Sequence, residues 1–318
     1  MEQQQTSQQN AQTSRQNAQI SQQNVQISPQ NAQIIRQNAQ IIQQKAQTIR
    51  QTGQALKTEE QKKNNIPLTD AKPEETKALV FDTGPIISLT TSNLLWLLDY
   101  LKTNFRGKFY ITPAVRRELV DHPIETKKFK FEALQVQYRI SKGVIDIAST
   151  QELNQLAEQL YVFANHSFVC KGHHIKIVSI AEMETIAWAI ITGAQAAVVD
   201  ERTTRLLVEE PESLKKILIG NLSCEVEIDQ QNVNRFLDLT KGIRIIRSIE
   251  LVLVAYERHM LDRYLLHTPN DHKILLESIL WNVKLHGCSV SREEIDRIVA
   301  VELSRGQSEK EISTEHHH

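Results

Sequence analysis

The sequence predicts an α/β fold: a three-layer α/β/α domain around a central parallel sheet, with a heptad-repeat segment before it and a helical part after it. Three observations carry that expectation. From residue 77 onward short apolar runs alternate with longer helical stretches, the order that right-handed βαβ units produce. The short runs, ALVF and QAAVV among them, are apolar at consecutive positions, as strands covered on both faces are. Two of them stop on an acid, Asp82 and Asp200, and a helical stretch follows each.

The N-terminal segment, residues 1–58, repeats with period seven from Asn10 to Thr58: NAQTSRQ, NAQISQQ, NVQISPQ, NAQIIRQ, NAQIIQQ, KAQTIRQ, TGQALKT. Seven is the coiled-coil period. Ala or Val holds the second position, and the fifth changes from Ser14, Ser21 and Ser28 to Ile35, Ile42, Ile49 and Leu56, one stripe on a helix. Pro29 interrupts the pattern and charged flanks are scarce, so a coiled coil that could join copies of the chain and a Gln/Asn-rich disordered segment are both open readings. Residues 59–76, with two prolines and no periodicity, read as a linker.

The α/β domain is expected over 77–246. KALVF begins it as a strand, SNLLWLLDYLK follows as a helix and KFYIT as the second strand. Thr112 reads as the N-cap of a helix with Pro113 in its first position, which puts Glu118 about one and a half turns in. A long insertion at about 123–180 precedes the apolar helix AEMETIAWAIITG, the strand QAAVVD and the helix RTTRLLVEE. GIRIIRSIELVLVAYERHML leads into a C-terminal helical extension, 247–303, in which Ser291 and Glu294 form a capping-box pattern. A flexible tail is expected over 304–318.

Composition narrows the function classes. Thirty-seven basic and 38 acidic residues leave a net charge of −1, so no bulk basic field advertises nucleic acid and any such binding must be local. The three cysteines, Cys170, Cys224 and Cys288, are widely spaced, which argues against a disulfide framework and for a reducing, cytoplasmic setting. Neither a secretory leader pattern nor a bilayer-length apolar run is present, so no membrane association is expected.

Asp82 and Asp200 raise the question of chemistry. Each has a structural explanation as a helix-entry residue, and the helix dipole suffices for Glu182, Glu201 and Asp121. In a parallel sheet, however, Asp82 and Asp200 can end neighbouring strands, where two carboxylates repel unless a cation lies between them. Hard oxygen donors of this kind suit Mg²⁺ or Mn²⁺, one or two ions, and metal-assisted phosphoryl transfer.

The set FDTGPIISL, ITPAVRREL and AEMETIAWAIITGAQAAVVDERTTR resembles the PIN-domain nucleases, in particular the archaeal and bacterial subgroup related to VapC-type toxins. The likeness covers residues 77–210 and extends more loosely to about 303. It implies a metal-dependent endoribonuclease whose metal-binding and catalytic acids are Asp82, Glu118, Glu184 and Asp200, in that order, with Thr83 beside the site and Glu201 as a substitute for Asp200. It also implies RNA as substrate, and many relatives are toxins held by an antitoxin-like protein partner. Two departures stand out: the third acid is Glu where Asp is usual, and Val199 replaces the polar residue that often precedes the fourth. A catalytically weak RNA- or protein-binding module, assembled through the N-terminal repeat, is the alternative expectation.

Within the insertion, Lys127, Lys128, Lys130, Lys171, His173, His174 and Lys176, with Phe129, Tyr138 and Phe168, make either an RNA-contacting face or an ordinary solvated surface. Cys170 with His173 or His174 hints at zinc, without a complete ligand set.

Overall fold

The structure, a computed structural model, describes the backbone of residues 77–315 and the side chains of 77–305. The heptad segment and the linker lie outside the described residues, and so do both readings of the repeat. The described residues belong to one compact unit.

The chain runs β1 (Ala78–Phe81), α1 (Thr83–Thr91), α2 (Leu97–Phe105), β2 (Lys108–Ile111) and α3 (Pro113–Arg116). A single π-helical turn (Arg117–Asp121) joins α3 to α4 (His122–Glu125), which is followed by α5 (Lys130–Ser141), β3 (Asp146–Ile147) and α6 (Gln151–Asn165). Next come β4 (Phe168–Cys170), β5 (His173–His174), α7 (Ile180–Thr192), β6 (Ala196–Val198), α8 (Arg202–Glu209), α9 (Pro211–Leu222) and β7 (Val226–Ile228). The last elements are α10 (Gln230–Thr240), β8 (Ile245–Ile246), α11 (Ser248–Glu257), a 3-10 turn (Asp262–Tyr264), α12 (Asp271–Leu285) and α13 (Arg292–Glu315).

Five strands form a parallel sheet in the order β3-β2-β1-β6-β8, so the α/β architecture with a central parallel sheet is as expected. Helices cover both faces, and the strand sequences show why. Leu79 and Phe81 of β1 with Ala196 and Val198 of β6 pack into one core with α1, α2, α11 and α12. Val80, Ala197 and Val199 pack into a second core with α6 and α7. Alternate residues of a strand point to opposite faces, so a run without polar positions is what two buried faces require.

Segment 123–180 is more than an insertion. It contributes β3 to the sheet edge and α6, whose Leu153, Ala157, Leu160 and Ala164 form a fully buried stripe at helical spacing. It also supplies β4 and β5 of a small antiparallel sheet, β5-β4-β7, absent from the sequence expectation. Strands of two and three residues are too short to show a period. A disulfide joins Cys170 to Cys224 across a separation of 54 residues, against the expectation drawn from the wide cysteine spacing, and it removes the Cys170 thiolate from any zinc site. At the C-terminus, α13 continues as helix through Glu315, well into the stretch expected to be a flexible tail. No helix among the described residues is long and apolar enough to cross a membrane.

Candidate active site

β1 and β6 lie side by side in parallel, with Phe81 opposite Val198, and the N–H of Asp82 donates to the Val198 carbonyl at 2.9 Å. Asp82 and Asp200 therefore leave the same sheet edge on neighbouring strands, the position where open parallel sheets gather ligands. A β-carbon at Gly84 would stand 3.4 Å from Asp200 Cβ and 3.8 Å from Asp82 Oδ2, ordinary contact distances that place the start of α1 against both strand ends.

The two aspartates have opposite surroundings. Asp82 occupies the N-cap of α1 in an extended conformation yet makes no side-chain capping bond. Its side chain is buried, at 5% exposure, and Oδ1 has no hydrogen-bond partner. Burial, with added repulsion from Glu182 and then Glu118, raises its pKa to about 8, while the N–H groups of Thr83 and Gly84 pull part of the way back. Asp200, in contrast, is satisfied by neutral donors. Oδ1 accepts from the Ser248 N–H at 2.7 Å, and Oδ2 accepts from the hydroxyls of Ser88 and Ser248, both at 2.7 Å. Among the acids of this edge it has the least need of a cation.

Glu118 comes to the site from the second strand's helix. Thr112 caps α3 as expected, its hydroxyl accepting from the Val115 N–H at 3.5 Å, with Pro113 in the first turn. The helix then widens into the π turn that contains Glu118, a local irregularity of the kind often found at functional sites. Thr83 Oγ1 donates to Glu118 Oε2 at 2.6 Å, which ties the residue after Asp82 to this acid.

α7 supplies two acids in different roles. Ser179 and Glu182 close a capping box, the Ser179 N–H donating to Glu182 Oε2 at 2.7 Å, and the remaining carboxylate oxygen accepts from Thr204 Oγ1. Glu184, two residues on and roughly 200° further round the helix, accepts from the Ala114 N–H at 2.8 Å at the start of α3, with Arg117 Nη2 3.9 Å from its other oxygen. Glu182, which the helix dipole alone accounts for in the sequence, is thus the α7 acid acting on Asp82, and Glu184 braces α3. The signal that separates them is the Ser179-to-Glu182 spacing, which fixes the orientation of Glu182 at the helix entry.

The partners of Asp200 come from two distant segments, Ser88 in the FDTGPIISL stretch and Ser248 in the GIRIIRSIELV stretch. Ser248 follows β8, which pairs with β6, and the preceding Arg247 is almost fully buried. Its Nη2 lies 2.5 Å from Glu250 Oε1 and 2.6 Å from Glu294 Oε1, and its Nη1 donates to the Ser289 carbonyl at 3.0 Å. Burial disfavours the guanidinium's charge, but the two carboxylates outweigh it and keep its pKa well above the usual arginine value. Ser291 does accept from the Glu294 N–H at 3.1 Å, as the capping pattern predicts, while the Glu294 carboxylate is drawn to Arg247. The C-terminal helices therefore brace Asp200 through Ser248 and Arg247.

The remaining expected residues lie apart from this cluster. Glu201 caps α8, accepting from the Thr203 N–H at 3.4 Å. Lys171, His173 and His174 are exposed on the small antiparallel sheet, and Lys176 lies over the Tyr161 ring at 5.9 Å. For a divalent cation the fit is partial: the orphaned Asp82 Oδ1 and the neighbouring carboxylates are the right donors, yet no three His, Cys, Asp or Glu side chains among the described residues form a ready cage. The chain matches no protein-family profile, no curated protein and no solved structure.

Proposed function

We propose that this protein is a metal-dependent endoribonuclease of PIN-like architecture, acting at the carboxyl edge of β1. The single observation that supports it most is Asp82: a buried carboxylate with an unpartnered oxygen, pressed by two further acids, at the ligand-binding edge of a parallel sheet. Asp82, through its unpartnered Oδ1, and Glu118 are the residues that would hold Mg²⁺ or Mn²⁺, with water completing the coordination. Such an ion supplies Lewis-acid polarisation of the phosphoryl group and a nucleophilic hydroxide at neutral pH. Thr83 orients Glu118, Glu184 sets the position of α3, and Asp200 holds the ends of β6 and β8 to α1. Arg117, exposed on the π turn beside Glu184, would meet a substrate phosphate.

The test is cleavage of a mixed RNA pool by the full chain with Mg²⁺ or Mn²⁺. Cleavage should stop with EDTA and in Asp82→Asn. Equal cutting by wild type and Asp82→Asn would remove the site assignment. A second reading, a catalytically weak RNA- or protein-binding module, draws support from the saturated hydrogen bonding of Asp200 and the absence of a ready three-residue cage among the described residues. No metal-stimulated cleavage, together with tight binding of RNA or of an antitoxin-like protein, would favour it.

A further inference from the structure

Helix α5 has two apolar faces where one would be ordinary. Ala133 and Val136 are buried against the domain. On the opposite side Phe131 is 70% exposed, Leu134 51% and Tyr138 54%, at spacings of three and four residues that align them in one stripe. Phe129, also exposed, extends it from the residue before the helix. Large apolar side chains in a row on the surface mark a contact site more often than chance.

The charge around the stripe indicates what it contacts. Residues 127–142 carry five basic side chains, Lys127, Lys128, Lys130, Arg139 and Lys142, against one acid, Glu132, in a chain whose net charge is −1. Arg139 is held by Asp99 at 3.4 Å, but the four lysines pair with no carboxylate among the described residues. Lys128 lies 4.8 Å from the Phe129 ring centre and Lys142 5.5 Å from that of Tyr138. Aromatic faces interleaved with free cations are the elements of a single-strand binding platform, where bases stack on rings and ammonium groups meet phosphates. Phe131 and Tyr138 stand about 10 Å apart along the helix axis, about three times the spacing of stacked bases, so the two rings suit a splayed single strand and not a duplex.

We infer that the outer face of α5 binds single-stranded nucleic acid by stacking on Phe131 and Tyr138 and by phosphate contact with Lys127, Lys128, Lys130 and Lys142. The inner side of the helix packs on α1 and on the π turn that contains Glu118, so a strand on its outer face is separated from those elements by the width of one helix, about 10 Å. This deepens the nuclease reading, on which it rests for the strand's destination, by naming the form in which the substrate is presented.

The experiment is fluorescence anisotropy with a labelled single-stranded RNA of about 12 nucleotides, using the full chain in an Asp82→Asn background with EDTA. Phe131→Ala and Tyr138→Ala are each expected to weaken binding by roughly tenfold, with circular dichroism unchanged because both rings are exposed. Lys128→Ala should reduce the slope of log K against log salt by about 0.7, and the matching duplex should bind at least about tenfold more weakly. Wild-type affinity in both aromatic variants, or equal binding of duplex, would overturn the inference. So would a change in molar mass by light scattering in Phe131→Ala with RNA affinity unaltered, which would assign the stripe to a second copy of the chain. The two proposals fail separately: binding without cleavage by the wild-type chain sinks only the nuclease, and cleavage with aromatic-independent binding sinks only the platform.

Discussion

Replacing Asp82 by asparagine should stabilise this protein, and by an amount that grows with pH. The carboxyl has a pKa raised from 3.8 to about 8 by burial and by Glu182 and Glu118. Between those values the folded chain keeps a proton that the unfolded chain has already released. Stability therefore falls as pH rises, by about 1.4 kcal/mol per pH unit, from the unfolded value up to the folded one. At pH 6 the accumulated cost is about 3 kcal/mol, and near pH 8 it approaches 5 kcal/mol. The asparagine amide has no proton to lose, so the variant escapes the loss. Urea unfolding of both proteins between pH 4 and 8, followed by tryptophan fluorescence, reads the difference directly, and any constant offset from the amide cancels in its slope. The Asp82→Asn advantage should be small near pH 4 and rise by about 1.4 kcal/mol per unit above it. A difference that stays flat across this range, or one that shrinks as pH rises, would refute the argument that Asp82 is an unrelieved buried acid. A divalent cation that binds the site should stabilise wild type at pH 8 and leave the variant unchanged.

Other substitutions separate structure from chemistry. Asp200→Ala should destabilise by about 3–5 kcal/mol in urea, because three buried donors, the Ser248 N–H and the hydroxyls of Ser88 and Ser248, lose their acceptor. A loss below about 1 kcal/mol would show that these bonds are replaceable. Arg247→Met leaves Glu250 and Glu294 without their buried partner and should cost about 3–5 kcal/mol at pH 7 in urea unfolding. Cys224→Ser opens the Cys170–Cys224 link and should lower stability by about 2–4 kcal/mol, measured beside non-reducing peptide mapping that verifies the bond in the parent. Equal stability of that variant and oxidised parent would mean that β4 and β7 hold together without it.

How much of this was legible in the sequence follows from the range of each signal. Consecutive apolar residues in ALVF and QAAVV foretold strands buried on both faces, and the parallel neighbourhood of β1 and β6 then brought Asp82 and Asp200 to one edge as expected. The cap at Thr112 was a local pattern and was correctly read, whereas the α-helix it begins ends at Arg116 and Glu118 lies in the π turn that follows, which no local pattern announced. The small sheet escaped notice because its strands are shorter than any period they could display, and the Cys170–Cys224 pairing because spacing does not report distance in space.

Sequence by itself determined the α/β class, the acidic character of one sheet edge and the residues that begin its helices, since these depend on side chains within a few positions of one another. Only tertiary structure decided which acids are under electrostatic stress. Asp82 and Asp200 have nearly the same local pattern, an apolar strand followed by an acid and a helix, yet one is left with a bare oxygen and the other holds three donors. The donors come from Ser88 and from Ser248, 48 residues further along the chain, and the strand order that brings β8 beside β6 is what delivers the second of them. A carboxylate's ionisation is set by the groups around it in space, and for these two acids those groups come from distant parts of the chain.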